Sequence, residues 1–193
     1  MIPFRGWLNF KKYVPAKPTT LGIKVWMICR SQSGYCLDFD IYTGWYTEVS
    51  ENELGYDVVR ELTLQYQNQH YHIYFDQFFT SPLIVAELLR NHTYACGTVM
   101  LHRKGLPAKM KKRKVPQNAV INYQKEDQVL MTWKDKRQVN ILSTNYPAVR
   151  NQNLANGKKP AVVEMYKKHM AGVERHDQLN SCCRIDRASH KWW

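Results

Sequence analysis

No stretch of about 18 consecutive apolar residues occurs in this sequence, so no membrane-spanning helix is predicted. Residues 1–11 also lack the basic segment followed by an apolar segment that is typical of a secretory signal peptide. We therefore expect a protein that has no membrane partner.

Paired cysteine motifs are absent as well. The five cysteines are odd in number and none of them forms a CxxC pair, which argues against both a disulfide framework and a zinc ribbon. We expect reduced, mostly buried thiols in an intracellular protein. The cysteines are Cys29, Cys36, Cys96, Cys182 and Cys183.

Acidic residues are scarce: 16 of them stand against 28 lysines and arginines, which gives a formal net charge of +12. This surplus predicts a polyanionic partner, because cationic side chains bound to phosphates release counterions and give affinity that does not depend on sequence. The densest run of basic residues extends over residues 103–114. Gly105 and Pro107 within it and Pro116 after it argue against a regular element. A solvated loop, a nuclear-import patch and a phosphate-binding arm are alternative interpretations of the run. Its basic members are Arg103, Lys104, Lys109, Lys111, Lys112, Arg113 and Lys114.

The chain is organised around residues 71–82. Alternation of apolar and polar residues up to Phe75 predicts a half-buried strand, and Ser81-Pro82 predicts the N-cap and first position of a helix that ends near Arg90. Asp76 therefore lies at the carboxyl end of a strand, where ligands and metals collect in open α/β sheets. The alternative is that Asp76 only begins an Asx-turn.

Strand and helix patterns both occur in the rest of the chain. Antiparallel hairpins are predicted over residues 22–42 and 128–143, a loop or linker over 146–159, and a further strand over 93–101. Helices are predicted over residues 52–67, 81–90 and from Pro160 through the segment around Gly172. This order predicts an α/β domain, a mixed sheet covered by helices.

Two pairs of potential metal ligands are interpreted as surface residues. Asp38 and Asp40 share one face of a predicted strand, and we expect that face to be solvated. His70 and His72 occupy alternate positions, and no third ligand is spaced to join them.

Glu174 and Asp177 lie three residues apart in a predicted helix and therefore share one face of it. Taken alone, this pattern indicates solvent exposure or salt bridges, for which Arg175 and Arg184 are the available partners.

Several phrases along the whole chain together resemble the piggyBac transposase family, which includes domesticated relatives in animal genomes. Each phrase is weak by itself, and their order and spacing carry the resemblance. They are Met1-Ile2-Pro3-Phe4-Arg5-Gly6, Tyr13-Val14-Pro15-Ala16-Lys17-Pro18, Gly22-Ile23-Lys24-Val25-Trp26, Gly34-Tyr35, Tyr42-Thr43-Gly44, Phe75-Asp76-Gln77-Phe78-Phe79-Thr80-Ser81, Gly97-Thr98-Val99, Arg103-Lys104-Gly105-Leu106-Pro107, Leu142-Ser143-Thr144, Gly172-Val173-Glu174-Arg175-His176-Asp177-Gln178, Ile185-Asp186-Arg187 and Lys191-Trp192-Trp193.

The resemblance implies an RNase H-like mixed sheet flanked by helices, with a β-rich insertion. It also implies DNA cutting and strand transfer by two divalent metal ions, Mg²⁺ or Mn²⁺, held between three carboxylates. Asp76 resembles the second catalytic aspartate of the family, Glu174 stands in the place of the third, and Asp177 matches a further acid. We expect Asp76 and Glu174 to bind metal and the basic run of residues 103–114 to bind DNA.

In the family, the first catalytic aspartate lies a few residues before the Phe4-Arg5-Gly6 motif, whereas this sequence begins at Met1. We therefore expect the first strand and the C-terminal end of the core to be missing and catalysis to be impaired. The expected segments are residues 1–101 for the first half of the core, 102–159 for the basic loop and hairpin insertion, and 160–193 for the start of the C-terminal helical part.

The resemblance further implies DNA as the partner and the nucleus as the location, and it leaves a homodimer open. A non-enzymatic DNA-binding or nuclear interaction protein is the alternative from a different functional class. A decayed transposon fragment is the third alternative.

Overall fold

The structure of the chain is a computed structural model, and it describes residues 1–44, 52–111, 114–146, 152–153 and 158–182. The chain divides into two compact units, each of which is described by itself. The hairpin unit comprises residues 1–48 and 171–193, and the sheet unit comprises residues 49–170. None of the helices in the described ranges combines the length and the apolar character that crossing a bilayer requires.

Eleven strands and five α-helices are assigned within the described ranges. The strands are β1 (Ile2–Pro3), β2 (Lys12–Tyr13), β3 (Leu21–Ile23), β4 (Val25–Cys29), β5 (Cys36–Ile41), β6 (His72–Phe75), β7 (Tyr94–Thr98), β8 (Ala119–Lys125), β9 (Gln128–Lys134), β10 (Gln138–Ser143) and β11 (Gln152–Asn153). The helices are α1 (Leu54–Thr63), which continues into a 3-10 turn (Leu64–Tyr66), α2 (Pro82–Arg90), α3 (Ala108–Lys111), α4 (Ala161–His169) and α5 (Gly172–Cys182).

The hairpin unit contains two small antiparallel sheets. One has the strand order β1-β3-β2, and the other is the β4–β5 hairpin. The hairpin predicted over residues 22–42 requires one strand through residues 22–29. That strand is wrong, because the chain changes sheets at Lys24, between β3 and β4. Apolar alternation reports which residues face a core, and it does not report which strand is the hydrogen-bonding partner.

The β4–β5 hairpin exposes its apolar face. Phe39 is 58% exposed, and its neighbours on the same face, Leu37 and Ile41, are exposed as well, whereas Asp38 and Asp40 are half-buried. The prediction of a solvated face for the two aspartates is therefore wrong. The residue opposite Asp40 is Trp26, which is buried with the Lys24 ammonium 3.8 Å from its ring centroid, so the aspartate face is the covered one.

The sheet unit confirms the predicted mixed sheet flanked by helices. Its six strands have the order β11-β8-β9-β10-β7-β6; β6 and β7 are parallel and the other neighbours are antiparallel. Consecutive residues of β7 lie on opposite faces of the sheet: Ala95 packs with α1, α2 and α3, and Cys96 packs with α4. The sheet is therefore the middle layer of three.

The helix that follows Asp76, α2, begins as predicted. Ser81 is the N-cap of α2, its side chain accepts a hydrogen bond from the Ile84 amide at 3.4 Å, and Pro82 is the first helical residue. Ile84, Val85 and Leu88 of α2 are completely buried. This burial fixes the helix on the sheet and leaves the loop before it at the strand ends.

Two predictions of irregular structure are wrong in part. The basic run contains a single helical turn, α3, whose Met110 is buried in the core. Burial of this one apolar side chain is enough to hold a short helical turn between two prolines. In the predicted linker, β11 pairs with β8, while residues 147–151 and 154–157 lie outside the described ranges.

The predicted division of the chain into segments 1–101, 102–159 and 160–193 stays a prediction. Its middle segment supplies β8, β9 and β10, and β10 hydrogen-bonds directly to β7 with Leu142 opposite Gly97. The predicted hairpin of β9 and β10 therefore continues the same sheet that carries Asp76 at the end of β6.

Candidate functional site at the end of strand β6

Asp76 follows directly after β6 and is exposed. Its Oδ1 accepts a hydrogen bond from the Phe78 amide at 2.9 Å, and its carbonyl oxygen accepts hydrogen bonds from the Thr80 amide at 3.2 Å and from Thr80 Oγ1 at 2.7 Å. The Asx-turn that sequence analysis offered as the alternative is thus present. It is compatible with a site, because the turn holds the carboxylate at the surface in one orientation.

The strand end beneath Asp76 is closely packed. Gly97 of β7 lies opposite Phe75, and a Cβ atom added to it would lie 2.7 Å from the Phe75 carbonyl oxygen and would also collide with Thr80 Oγ1. From the other face of the sheet, Tyr166 Oη of α4 lies 3.3 Å from the Phe75 carbonyl oxygen, to which it donates, and 3.3 Å from Thr98 Oγ1. Burial raises the pKa of Tyr166, as does the nearby charge of Asp76, so the phenol remains a donor.

Arg103 holds the loop that carries Asp76. Its Nη2 donates to the carbonyl oxygens of Gln77 at 3.2 Å and Phe78 at 2.6 Å, and its guanidinium also pairs with Glu53. The Arg103 side chain is only 11% exposed. That Arg103 binds DNA stays a prediction; its described contacts are internal and position the Asp76 loop.

Replacing Arg103 with alanine is expected to lower the free energy of unfolding by about 2 kcal/mol, since charge-assisted hydrogen bonds to the carbonyl oxygens of Gln77 and Phe78 and the ion pair with Glu53 are lost. Arg103→Lys should recover only part of this stability, because one ammonium group does not reproduce the fork of donors. Urea unfolding measures both changes. Lys104→Ala, at an exposed neighbouring position, is the control, and an Arg103→Ala midpoint equal to that of the control would contradict the positioning role.

The other basic residues of the run are distributed differently. Lys104, Lys109 and Lys114 are exposed. Lys111 is the last residue of α3, and residues 112–113, the predicted DNA contacts Lys112 and Arg113, lie outside the described ranges. Three exposed cations of this run are therefore available to a polyanion in the described part of the sheet unit.

Glu174 and Asp177 are both exposed on α5 in the hairpin unit, as their spacing predicts. The salt bridge considered with Arg175 is wrong, because Arg175 Nη1 donates to the backbone carbonyl oxygens of Ser31 at 2.5 Å and Gln32 at 2.7 Å. The second suggested partner, Arg184, lies outside the described ranges. In the described part of the chain, neither acid has an ion-pair partner, which leaves both carboxylates open to a cation.

The structure brings Glu174 and Asp177 together on one helix and places Asp76 in the other unit. Over the residues whose positions are given, no group of three or more His, Cys, Asp or Glu side chains could hold a metal ion. His70 and His72 are both exposed, which agrees with their interpretation as surface residues. His70 precedes β6 with a φ of 57°, and His72 Nδ1 lies 2.7 Å from Asn145 Nδ2.

Three supporting residues were not identified from the sequence as part of this site. Tyr166 lies in the helix that is predicted to begin at Pro160, Gly97 belongs to a family phrase, and Arg103 belongs to the basic run and to a family phrase. Tyr166 and Phe75 are 91 positions apart, and local patterns carry no signal for such a contact.

Comparison with known proteins gives a consistent result. A family model described as "Transposase IS4" matches residues 1–193. Among curated proteins, the chain is 27% identical over 213 residues to PiggyBac transposable element-derived protein 2 of Homo sapiens and 24% identical over 216 residues to PiggyBac transposable element-derived protein 3 of Homo sapiens. Both alignments cover 100% of this chain and 36% of the relative, so the chain spans about a third of the length of these relatives.

A solved structure shows the same similarity in three dimensions. The cryo-EM structure of a piggyBac transposase synaptic complex with hairpin DNA matches with a TM-score of 0.84 and 28% identity, covering 98% of this chain and 40% of that one. The fold implied by the resemblance is thereby confirmed. The chain belongs to the Transposase IS4 family and is of the piggyBac type.

Proposed function

We propose that this chain contributes to a metal-dependent centre for DNA strand cleavage and transfer, with Asp76 and Glu174 as metal ligands and Asp177 as a further acid. The observation that carries the proposal is the exposed Asp76 carboxylate, which is fixed by an Asx-turn at the carboxyl end of β6. A carboxylate that is already oriented loses little freedom when it binds a cation, so such a position suits a ligand.

The donor chemistry fits Mg²⁺ or Mn²⁺, since hard divalent cations prefer carboxylate oxygens and retain several waters. When bound, such ions activate the attacking oxygen and stabilise the leaving oxygen of a phosphoryl displacement. In the sheet unit Asp76 would supply a metal ligand, and in the hairpin unit Glu174 would supply one.

The other residues of the site orient Asp76. The Phe78 amide fixes one carboxylate oxygen, Thr80 fixes the carbonyl group, and Arg103 fixes the two peptide groups that follow Asp76. Tyr166 supports the strand from the opposite side through the Phe75 carbonyl oxygen. These contacts allow the carboxylate to keep one position when a charged substrate approaches.

DNA is the proposed substrate. The net charge of +12 and the exposed Lys104, Lys109 and Lys114 supply the cations that phosphates require, and a similar protein has been solved in a synaptic complex with hairpin DNA. We further propose a nuclear location. Imaging of a fluorescent fusion tests it, and a cytoplasmic fusion would contradict it. We also propose a homodimer, which sedimentation tests; a monomer at all concentrations would contradict it.

The function is tested by incubating the chain with labelled duplex DNA in Mg²⁺, in Mn²⁺ and in a chelator. Strand cleavage that requires either cation supports the proposal. Cleavage that persists in the chelator contradicts it. Because catalysis is expected to be impaired, Mn²⁺ binding is the second readout, and an affinity that is unchanged in the Asp76→Asn variant also contradicts the proposal.

Non-enzymatic DNA binding is the second candidate function, favoured by the same exposed lysines. Binding of this kind weakens steeply between about 50 and 200 mM salt and does not depend on divalent cations. Salt-sensitive DNA binding that occurs without cleavage and without Mn²⁺ binding at Asp76 would therefore select this function over the first.

Neutralising Lys104, Lys109 and Lys114 together with glutamine is expected to weaken DNA binding about tenfold or more at moderate salt. The slope of log affinity against log salt should fall by about 0.9 for each phosphate contact that is lost. Fluorescence anisotropy at several salt concentrations measures both quantities. The matched control carries the same loss of charge at Lys136, Arg137 and Lys159, which are exposed and lie outside the basic run. Equal losses in the two variants would contradict a specific DNA surface on the basic run.

A further inference from the structure

Cys29 and Cys36 face each other across the β4–β5 hairpin. They are register partners, whereas the preceding pair is Ile28 with Asp38, so Leu37 is the extra residue of a β-bulge. Residues directly opposite in antiparallel strands have Cα atoms about 4.5–5.5 Å apart, and this lies within the range that a disulfide spans. Both residues are free thiols and half-buried, and the Cys36 thiol donates a hydrogen bond to the Asp38 carbonyl oxygen at 3.5 Å.

We propose that Cys29 and Cys36 form a redox-active dithiol that closes reversibly to a cross-strand disulfide next to the first residue of α5. This inference concerns the hairpin unit alone and does not depend on the proposed DNA chemistry. The odd number of cysteines argued against a disulfide framework, and a single reversible pair is a different kind of site that cysteine spacing does not reveal.

The oxidant is a small-molecule disulfide of the glutathione class. The Cys36 thiolate attacks one sulfur of that disulfide and releases one small thiol, which leaves a mixed disulfide on Cys36. The Cys29 thiolate then attacks the Cys36 sulfur and releases the second small thiol. The protein loses two S–H bonds and gains one S–S bond, and the small disulfide gains the two electrons that the protein gives up.

The order of attack follows from the environment of the two thiols. Burial, followed by the neighbouring Cys36 thiol and the charges of Asp177 and Glu174, raises the pKa of Cys29 to about 12. Burial also raises the pKa of Cys36, while the hydrogen bond from Cys29 lowers it, so Cys36 ionises first. Because thiolates are scarce at neutral pH in such surroundings, the pair exchanges slowly with a disulfide pool.

The pair lies beneath the helix that carries the two acids. A Cβ atom added to Gly172, the first residue of α5, would lie 3.5 Å from Cys29 Cβ and 3.4 Å from the Cys29 carbonyl oxygen. The hairpin loop that joins the two cysteines also receives the hydrogen bonds of Arg175, and His176 Nδ1 lies 3.0 Å from the Gly34 carbonyl oxygen. Closing the disulfide therefore changes the surface against which α5 begins.

The sequence makes the disulfide easy to map. Trypsin cleaves after Lys24, Arg30 and Arg60, so Cys29 and Cys36 fall on two different peptides that only a disulfide can join. Cys96 is completely buried in the sheet unit and serves as an internal control, whereas Cys182 is exposed. The double variant Cys182→Ser/Cys183→Ser removes competing exchange at the end of the chain.

The 193-residue chain with these two replacements is equilibrated with reduced and oxidised glutathione at a series of ratios, quenched with an alkylating reagent, and mapped by mass spectrometry. The expected result is that the peptides of residues 25–30 and 31–60 are joined, with the loss of two hydrogen atoms, and are released by reductant. In the folded chain the equilibrium constant should exceed that of the urea-denatured chain by about tenfold or more, because the hairpin holds the sulfurs together.

Two further variants keep the inference falsifiable. Cys36→Ser and Cys29→Ser should each abolish the joined peptides and leave a mixed disulfide on the remaining cysteine. The inference is overturned if the joined peptides are absent from the folded chain at every glutathione ratio. It is also overturned if the folded and denatured chains give equal constants, since the pairing would then owe nothing to the hairpin.

Discussion

Asp76→Asn is expected to lower the Mn²⁺ affinity of the chain about tenfold or more and to reduce any metal-dependent DNA cleavage by about 100-fold or more. An amide oxygen can still accept the hydrogen bond that Phe78 now donates to Oδ1 at 2.9 Å, so the Asx-turn and the stability of the loop should survive. What the substitution removes is the negative charge, which a hard divalent cation needs from its ligand. A loss of this size is typical when a group that acts directly on a reacting centre is removed or misplaced.

Isothermal titration with Mn²⁺ and the DNA cleavage assay measure the two effects, and urea unfolding checks that the fold is retained. Asp127→Asn is the matched control, because Asp127 is an exposed acid of the same unit in the turn between β8 and β9. If the two variants bind Mn²⁺ with the same affinity as the original chain, Asp76 is not a ligand.

The second large effect is expected at Gly97. Its replacement with valine should lower the free energy of unfolding by about 3 kcal/mol or more, because the new side chain must enter a fully packed strand end. A Cβ atom alone would lie 2.7 Å from the Phe75 carbonyl oxygen and 2.8 Å from Phe75 Cδ2, and against Thr80 Oγ1. The backbone of β6 or the loop that carries Asp76 must therefore move.

A graded series tests this account of Gly97 by urea unfolding. Gly97→Ala should destabilise the chain less than Gly97→Val, and Thr80→Ala combined with Gly97→Ala should recover part of the loss by removing one of the colliding atoms. Strict additivity of the two single substitutions would show that Thr80 and Gly97 do not compete for the same space.

Much of the fold follows from patterns that depend on local chemistry. The Ser81-Pro82 helix start, the strand before Asp76 and the β9–β10 hairpin all match their predictions, because capping, alternation and turn residues act over a few positions. The break at Lys24 and the exposed apolar face of Phe39 did not match. Both depend on which strand or surface becomes the partner, and that choice is made over the whole unit.

The site divides in the same way. Asp76 is a candidate from the strand end and from the family phrase around it. Glu174 and Asp177 are candidates only through the resemblance, because their shared helix face alone indicates solvent exposure or salt bridges. The residues that support the Asp76 loop could not be found, since Arg103 contacts Phe78 from 25 positions away and Tyr166 contacts Phe75 from 91 positions away. The basic run shows the same limit. Arg103 and Lys104 carry the same charge in the sequence, but the Arg103 side chain faces inward and Lys104 is exposed.

The central claim is that Asp76 is a metal ligand, and paramagnetic broadening of NMR signals by substoichiometric Mn²⁺ tests it most directly. The account predicts that the amide signals of the Asp76 loop, those of Phe78 and Thr80 above all, broaden first, and that Asp76→Asn abolishes this broadening. Broadening confined to other acidic positions such as Asp38 or Asp127, or an unchanged pattern in the Asp76→Asn variant, would contradict it.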